Sequence, residues 1–309
     1  MAGSHAKRFY GTERVEEHCL MRVPLSSRRV TTWNRWSALY CLAFAICIST
    51  LGGCAGDLQQ RADAVAYTVG LQREQIPTPL FLLTAYVRIT RVDQPLTIYI
   101  EGDGHAWRTR YQASANPTPR RALGLTLATA DRSANVVYLA RPCQFTAMDD
   151  NPHCNAAYWT KKRFAPEVIA AMDAAITYYV SRTPGQRINL VGYSGGAAIA
   201  VLIAAQRQDI ATLRTIAGNL DHEAINRVHK VSSMPESLNP INFTANVAHI
   251  PQIHFSGADD KIVPSAITRS FVSRTGVCAR FHGVDGLSHE GDWAAIWPQL
   301  LMLWPPCMN

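Results

Sequence analysis

Three clusters in this 309-residue sequence have the residue types and spacing needed for nucleophilic chemistry. The first is Leu190-Val191-Gly192-Tyr193-Ser194-Gly195-Gly196, a serine among glycines, standing between an apolar run and an alanine-rich segment of helical pattern. A glycine–x–serine–x–glycine so placed describes a sharp strand-to-helix turn that lifts a hydroxyl above a parallel sheet. Gly192 and Gly196 have no Cβ to clash in such a turn, and the serine is expected in strained backbone geometry. A serine hydroxyl is a weak nucleophile until a neutral imidazole can take its proton. The imidazole in turn needs a carboxylate to fix its tautomer and stabilise its charged form. Both follow downstream. Ile253 to Phe255 reads as a buried strand, and Ser256-Gly257-Ala258-Asp259-Asp260-Lys261-Ile262-Val263-Pro264 follows it as a turn with two carboxylates. Gly286-Leu287-Ser288-His289-Glu290-Gly291-Asp292-Trp293 is a glycine-flanked loop carrying one histidine ahead of a helix. On its own the serine motif could be a helix N-cap; the acid and histidine behind it, in that order, point to acyl transfer instead.

Nucleophile, acid, histidine is the chain order of α/β-hydrolases. Over roughly residues 80–305 the sequence resembles that superfamily, and more narrowly a bacterial lipoprotein hydrolase of the esterase/lipase type. The resemblance implies an α/β-hydrolase fold, a mostly parallel central sheet with helices on both faces. It carries the nucleophile to Ser194 and the base to His289. In the family's G-x-x-D-x-x-V-P pattern the acid falls on Asp260, with Asp259 as runner-up. Asp221 is a further alternative, because it closely follows a strand and some members take their acid from there. The backbone N–H of Gly195 is the expected first oxyanion donor. The second should come from Glu101-Gly102-Asp103-Gly104, and if Glu101-Gly102 stand where the superfamily commonly has His-Gly, it is the Asp103 N–H. A plain glycine-rich strand exit is the alternative reading of that loop.

The elements that must position these residues alternate along the chain. Strands are expected at Phe81 to Ile89, Leu96 to Ile100, Val136 to Ala140, Ile188 to Val191, Leu213 to Ala217, Ile253 to Phe255 and Ala279 to Val284. Helices are expected at 120–130, Pro166 to Ser181, Ala197 to Gln206 and Trp293 to Leu303. Short apolar runs between helices indicate a parallel sheet covered on both faces. Asp221 to Asn246 has poor periodicity, and a small cap or long loop is expected at 221–246. His105, His249, His254 and His282 read as surface or structural histidines. Arg141-Pro142-Cys143 and Tyr158-Trp159 are read either as a pocket mouth or as local core.

The start of the chain carries an address. Arg28, Arg29 and Arg35 precede an apolar segment from Ala38 to Ile48, followed by Leu51-Gly52-Gly53-Cys54. That describes an export signal, and the apolar stretch falls short of the ~20 residues of a membrane span, the alternative reading. The Leu-Gly-Gly-Cys ending resembles a lipobox, which implies lipidation of Cys54 and a signal peptide over 1–54. Met21 is an alternative start. Ala55, not aspartate, then implies the periplasmic face of an outer membrane. Residues 55–79 are read as a linker and N-terminal segment, and 80–309 as the hydrolase domain.

Of eight cysteines, four lie beyond Cys54, an even number that suggests disulfides in an exported protein. Among three connectivities, local pairing of Cys143 with Cys154 and Cys278 with Cys307 is preferred, four unpaired thiols being the alternative. Zinc-like cysteine spacing is absent, and no metal or organic cofactor is implied. The net charge of +7 includes a surplus from residues 1–53, which hold seven Lys or Arg and three acids, so the remainder is near +3. No basic run interleaved with aromatics suggests nucleic acid. The expected activity is ester hydrolysis of a small-molecule acyl substrate through a Ser-His-Asp triad, with the membrane reached through the lipid. The alternatives are an amidase, peptidase or thioesterase with the same triad, or a non-catalytic binding lipoprotein on this scaffold.

Overall fold

A run of short, fully apolar strands can be satisfied only by covering a sheet on both faces, and the chain does this. The computed structural model describes residues 53–307. The basic and apolar stretches read as an export signal lie outside those residues. In chain order the elements are α1 (Gly53–Tyr67), β1 (Gln72–Pro77), β2 (Leu82–Ile89), β3 (Leu96–Ile100), β4 (Trp107–Thr109), β5 (Gln112–Ala113), α2 (Leu123–Ala130) and β6 (Asn135–Leu139). There follow α3 (Pro166–Val180), β7 (Ile188–Tyr193), α4 (Gly195–Ala204), β8 (Ile210–Ile216), α5 (His222–His229), α6 (Thr244–Val247), β9 (Gln252–Gly257), α7 (Ser265–Thr275), β10 (Ala279–Val284) and α8 (Trp293–Leu301).

Eight strands form one sheet in the order β1-β2-β6-β3-β7-β8-β9-β10. The β1–β2 and β2–β6 pairs are antiparallel, and every pair from β6 to β10 is parallel. In β3, Ile98 and Ile100 join the core on one face while Tyr99 joins the core on the other. Leu190 and Val191 of β7 divide in the same way, as the two-residue period of a strand requires. Helices α3 and α4 belong to the first core; α2 and α8, with Trp293 and Trp297, belong to the second. Every residue of α4 is buried, which accounts for a helix apolar all round.

Two disulfides join Cys143 to Cys154 and Cys278 to Cys307. The segment 55–79 is more ordered than a linker, since α1 and β1 occupy most of it. The stretch 221–246 holds α5, a 3₁₀ turn at Pro240–Phe243 and α6. Helix α7 and the β4–β5 hairpin were also not anticipated. The polar positions of α7 hid its buried side, Ile267, Thr268, Phe271 and Thr275.

Candidate active site

Ser194 follows β7 directly and sits at φ 52°, ψ −116°, a left-handed strain that a serine adopts only where the surroundings enforce it. They do. A Cβ on Gly192 would lie 2.5 Å from the Gly196 carbonyl oxygen, and one on Gly196 would lie 2.3 Å from that of Ile100. The Ser194 amide donates to the Ile216 carbonyl at 2.9 Å, and the Ser194 carbonyl accepts from Asn219 at 3.0 Å. Although the serine stands at the N-cap position of α4, its side chain makes no capping bond.

The hydroxyl turns instead to a histidine. Ser194 Oγ is 2.9 Å from His289 Nε2, and His289 Nδ1 is 2.8 Å from Asp260 Oδ2. Asp260 Oδ1 accepts from the amides of Ile262 and Val263, each at 2.8 Å, so the carboxylate cannot swing. A carboxylate only accepts, so Nδ1 carries the proton and Nε2 presents its lone pair to the hydroxyl. Tyr193 Oη donates to the His289 carbonyl at 3.2 Å and helps hold the loop. Of the other carboxylates considered, Asp259 is exposed, and Asp221 caps α5 by accepting from the Ala224 amide at 3.0 Å and from Asn239 at 2.9 Å. Neither reaches His289.

The loop after β3 passes beside the hydroxyl, as a Cβ on Gly102 would lie 3.3 Å from Ser194 Cβ. The amide of Asp103 in this loop and that of Gly195 at the start of α4 form no hydrogen bond among the described residues, as donors reserved for a ligand would not. The loop is pinned by Glu101, whose buried carboxylate accepts from the amides of Gly102 (2.8 Å), Gly124 (3.2 Å) and Leu125 (3.4 Å) and from Tyr138 Oη (3.0 Å). Burial pushes the Glu101 carboxyl upward, against the pull of those donors.

Asp103 contributes more than an amide. Its Oδ1 would lie 2.0 Å from a Cβ on Gly195, so its carboxylate covers that glycine directly. Arg141 Nη1 donates to Oδ1, and Arg163 Nη1 is 3.2 Å from Oδ2. Burial alone would raise the Asp103 carboxyl, but Arg163 and Arg141 outweigh it and hold the group below the usual carboxylate range. One carboxylate between two guanidiniums leaves the Asp103–Arg141–Arg163 cluster itself net positive. Arg163 and the roles of the Glu101 and Asp103 side chains escaped the sequence reading. Arg141 does lie at the site; Trp159 is buried core, and Tyr158 packs edge-on against Phe81.

A cavity of about 540 Å³ opens on Ser194 and His289, with Arg120, Arg121, Ile262 and Glu290 at its walls. His105 lines it and lies 3.3 Å from Arg120. His254 is structural, held between Thr215 Oγ1 (2.8 Å) and Gln252 Oε1 (2.9 Å), and burial pushes it down to about 3. Among the described residues no three His, Cys, Asp or Glu side chains converge as a metal-holding group.

Known proteins agree with this architecture. A serine hydrolase homologue from Coxiella burnetii is similar at TM-score 0.51 and 16% identity, over 74% of this chain and 93% of that one. An esterase from Pyrococcus furiosus is similar at TM-score 0.54 and 12% identity, over 76% and 90%. A serine hydrolase without a lid from Xanthomonas campestris is similar at TM-score 0.51 and 14% identity, over 77% and 97%. At such identities the likeness is one of fold. No curated protein matches the sequence. The profile of the serine hydrolase (FSH1) family, however, matches residues 125–291, a span that contains the strained serine, the carboxylate turn and the histidine loop. The chain therefore belongs to the FSH1 serine hydrolase family, on an α/β-hydrolase fold.

Proposed function

We propose that this protein cleaves carboxylic esters by two-step acyl transfer, with Ser194, His289 and Asp260 as the triad. The observation that carries the reading is the continuous chain from Ser194 Oγ through His289 to Asp260, at 2.9 and 2.8 Å. Ser194 Oγ attacks the ester carbonyl as its proton passes to His289 Nε2, and Asp260 stabilises the imidazolium. The tetrahedral oxyanion is held by the amides of Gly195 and Asp103, each such donor contributing ~2.7–4 kcal/mol. Collapse expels the alcohol, which takes the proton from His289 and leaves the acyl group on Ser194. Water then attacks the acyl carbonyl, again with His289 as base, and releases the acid. The arginines on Asp103 keep its charge from opposing the oxyanion.

The esterases among the similar structures favour esters, and the absence of a lid in the Xanthomonas campestris serine hydrolase fits the open cavity here. Export and lipidation at Cys54 form part of the proposal. They are supported by the basic and apolar stretches before Leu51-Gly52-Gly53-Cys54 and by two disulfides, which suit an oxidising compartment. Loss of fatty-acid incorporation in Cys54→Ser would test the anchor.

The experiment for the activity is fluorophosphonate labelling of protein lacking residues 1–54, beside Ser194→Ala and His289→Ala. Labelling of the wild type alone is expected, followed by higher kcat/KM for esters than for matched amides or thioesters. Folded wild type that resists labelling would overturn the proposal in favour of a binding protein.

A further inference from the structure

Beside the cavity on Ser194 lies a larger one of about 700 Å³, between the β4–β5 hairpin and the segment that follows α5. Trp107, Arg108, Arg110 and Tyr111 line it from the hairpin, with Arg163 and Lys230 beside them; none of its lining residues is acidic. Arg110 Nη2 donates to the carbonyls of His229 and Lys230, each at 3.2 Å, which ties the hairpin to the end of α5. The nearby acids compensate two of the groove's cations, Lys161 and Arg163. Glu236 lies 2.9 Å from Lys161 and 3.2 Å from Lys162, and Asp103 holds Arg141 and Arg163. Among the described residues no carboxylate forms an ion pair with Arg108, Arg110 or Lys230.

Arg163 connects this groove to the reacting serine. It lines the groove, and its partner Asp103 covers Gly195 and lines the cavity on Ser194. The groove therefore begins one ion pair away from the proposed oxyanion amides. Uncompensated cations in a concave, partly aromatic wall attract and orient anions, and guanidinium forks match carboxylate and phosphate oxygens.

We propose that the groove holds an anionic group of the substrate, so that the enzyme prefers esters carrying a carboxylate or phosphate; this rests on the serine esterase reading above. Concavity and the Asp103–Arg163 link to the site favour a substrate group over a flat lipid surface, although exposed Trp107 and Tyr111 beside cations would also suit a membrane.

The test compares kcat/KM for mono-p-nitrophenyl glutarate and suberate with that for the neutral pentanoate and octanoate, and for 4-acetoxybenzoate with that for phenyl acetate. Wild type and Arg108→Gln/Lys230→Gln are assayed at low and high salt. At least one anionic ester should be preferred by about tenfold at low salt, the size expected of one or two exposed charge pairs. That preference should fade in high salt and be largely lost in the double variant. Equal rates on every anionic and neutral pair, in enzyme that fluorophosphonate labels, would overturn the groove assignment and leave the esterase reading standing. Failure to label would overturn the esterase reading itself. Binding to phosphatidylglycerol vesicles without any preference among soluble esters would also overturn the subsite and give these cations to a membrane contact.

Discussion

Replacing Asp260 with asparagine probes the polarity of the triad without emptying it. Oδ1 of Asp260 accepts two amides at 2.8 Å, and the side chain is 0% exposed, so no water can substitute for either bond. An asparagine must leave its oxygen there, because turning its NH₂ toward two N–H groups would strand them at about 1–3 kcal/mol each. Its NH₂ then faces His289 Nδ1, now 2.8 Å from Oδ2, and that nitrogen must become an acceptor. The imidazole proton moves to Nε2 and points at Ser194 Oγ, so the ring cannot take the serine proton. The expected loss in kcat is ~10⁴, or about 5.4 kcal/mol in the barrier, as for the same exchange in other Ser-His-Asp enzymes. The assay is steady-state hydrolysis of a p-nitrophenyl ester, with thermal melting to verify the fold. Asp259→Asn, altering an exposed side chain, should stay within about twofold of wild type, as surface substitutions generally change little. A folded Asp260→Asn enzyme within tenfold of wild type would refute the assignment of the acid and the tautomer.

Gly196→Ala would place a Cβ 2.3 Å from the Ile100 carbonyl and 2.4 Å from that of Glu101, so the oxyanion loop must move. A stability loss of about 1–3 kcal/mol in urea unfolding and a larger fall in kcat than in substrate binding are expected. Cys143→Ser/Cys154→Ser opens a loop of sequence separation 11, and Cys278→Ser/Cys307→Ser one of 29; losses near 3 and 3.5 kcal/mol respectively should appear as lower melting temperatures. His254 is pushed down to about 3 by burial, whereas an unfolded histidine titrates near 6.5, so below that pH the unfolded chain binds the extra proton. Stability should therefore fall between pH 6.5 and 3 by up to about 1.4 kcal/mol per pH unit from this residue, and the urea midpoints of His254→Phe should show a correspondingly weaker slope.

The parts of the fold that could be read from the chain were those with a strong local pattern. The strands of β3, β6, β7 and β9 are short apolar runs bounded by turns, and α3 announces itself with Pro166 and helical spacing. Helix α5 was hidden in a polar stretch whose buried positions are few, His222, Ile225 and Asn226. Helix α7 was missed for a similar reason, although Ile267 and Phe271 stand four apart between Pro264 and Gly276. The hairpin of β4 and β5 is too short, three and two residues, to show any alternation.

Residue order alone was enough to propose a strained serine, a carboxylate turn and a histidine loop, because each depends on backbone chemistry within a few neighbouring residues. It also pointed to the α/β-hydrolase superfamily, since the motifs keep a fixed order along the chain. The choice of Asp260 among three carboxylates became a distance only when β7, β9 and β10 lay in one parallel sheet with their C-terminal ends together. The same holds for Asp103, whose arginines are 38 and 60 positions away, with no local pattern to announce the pairing. Charges that distant in sequence meet only through strand order and loop packing, and it is their meeting that sets the electrostatics around the serine.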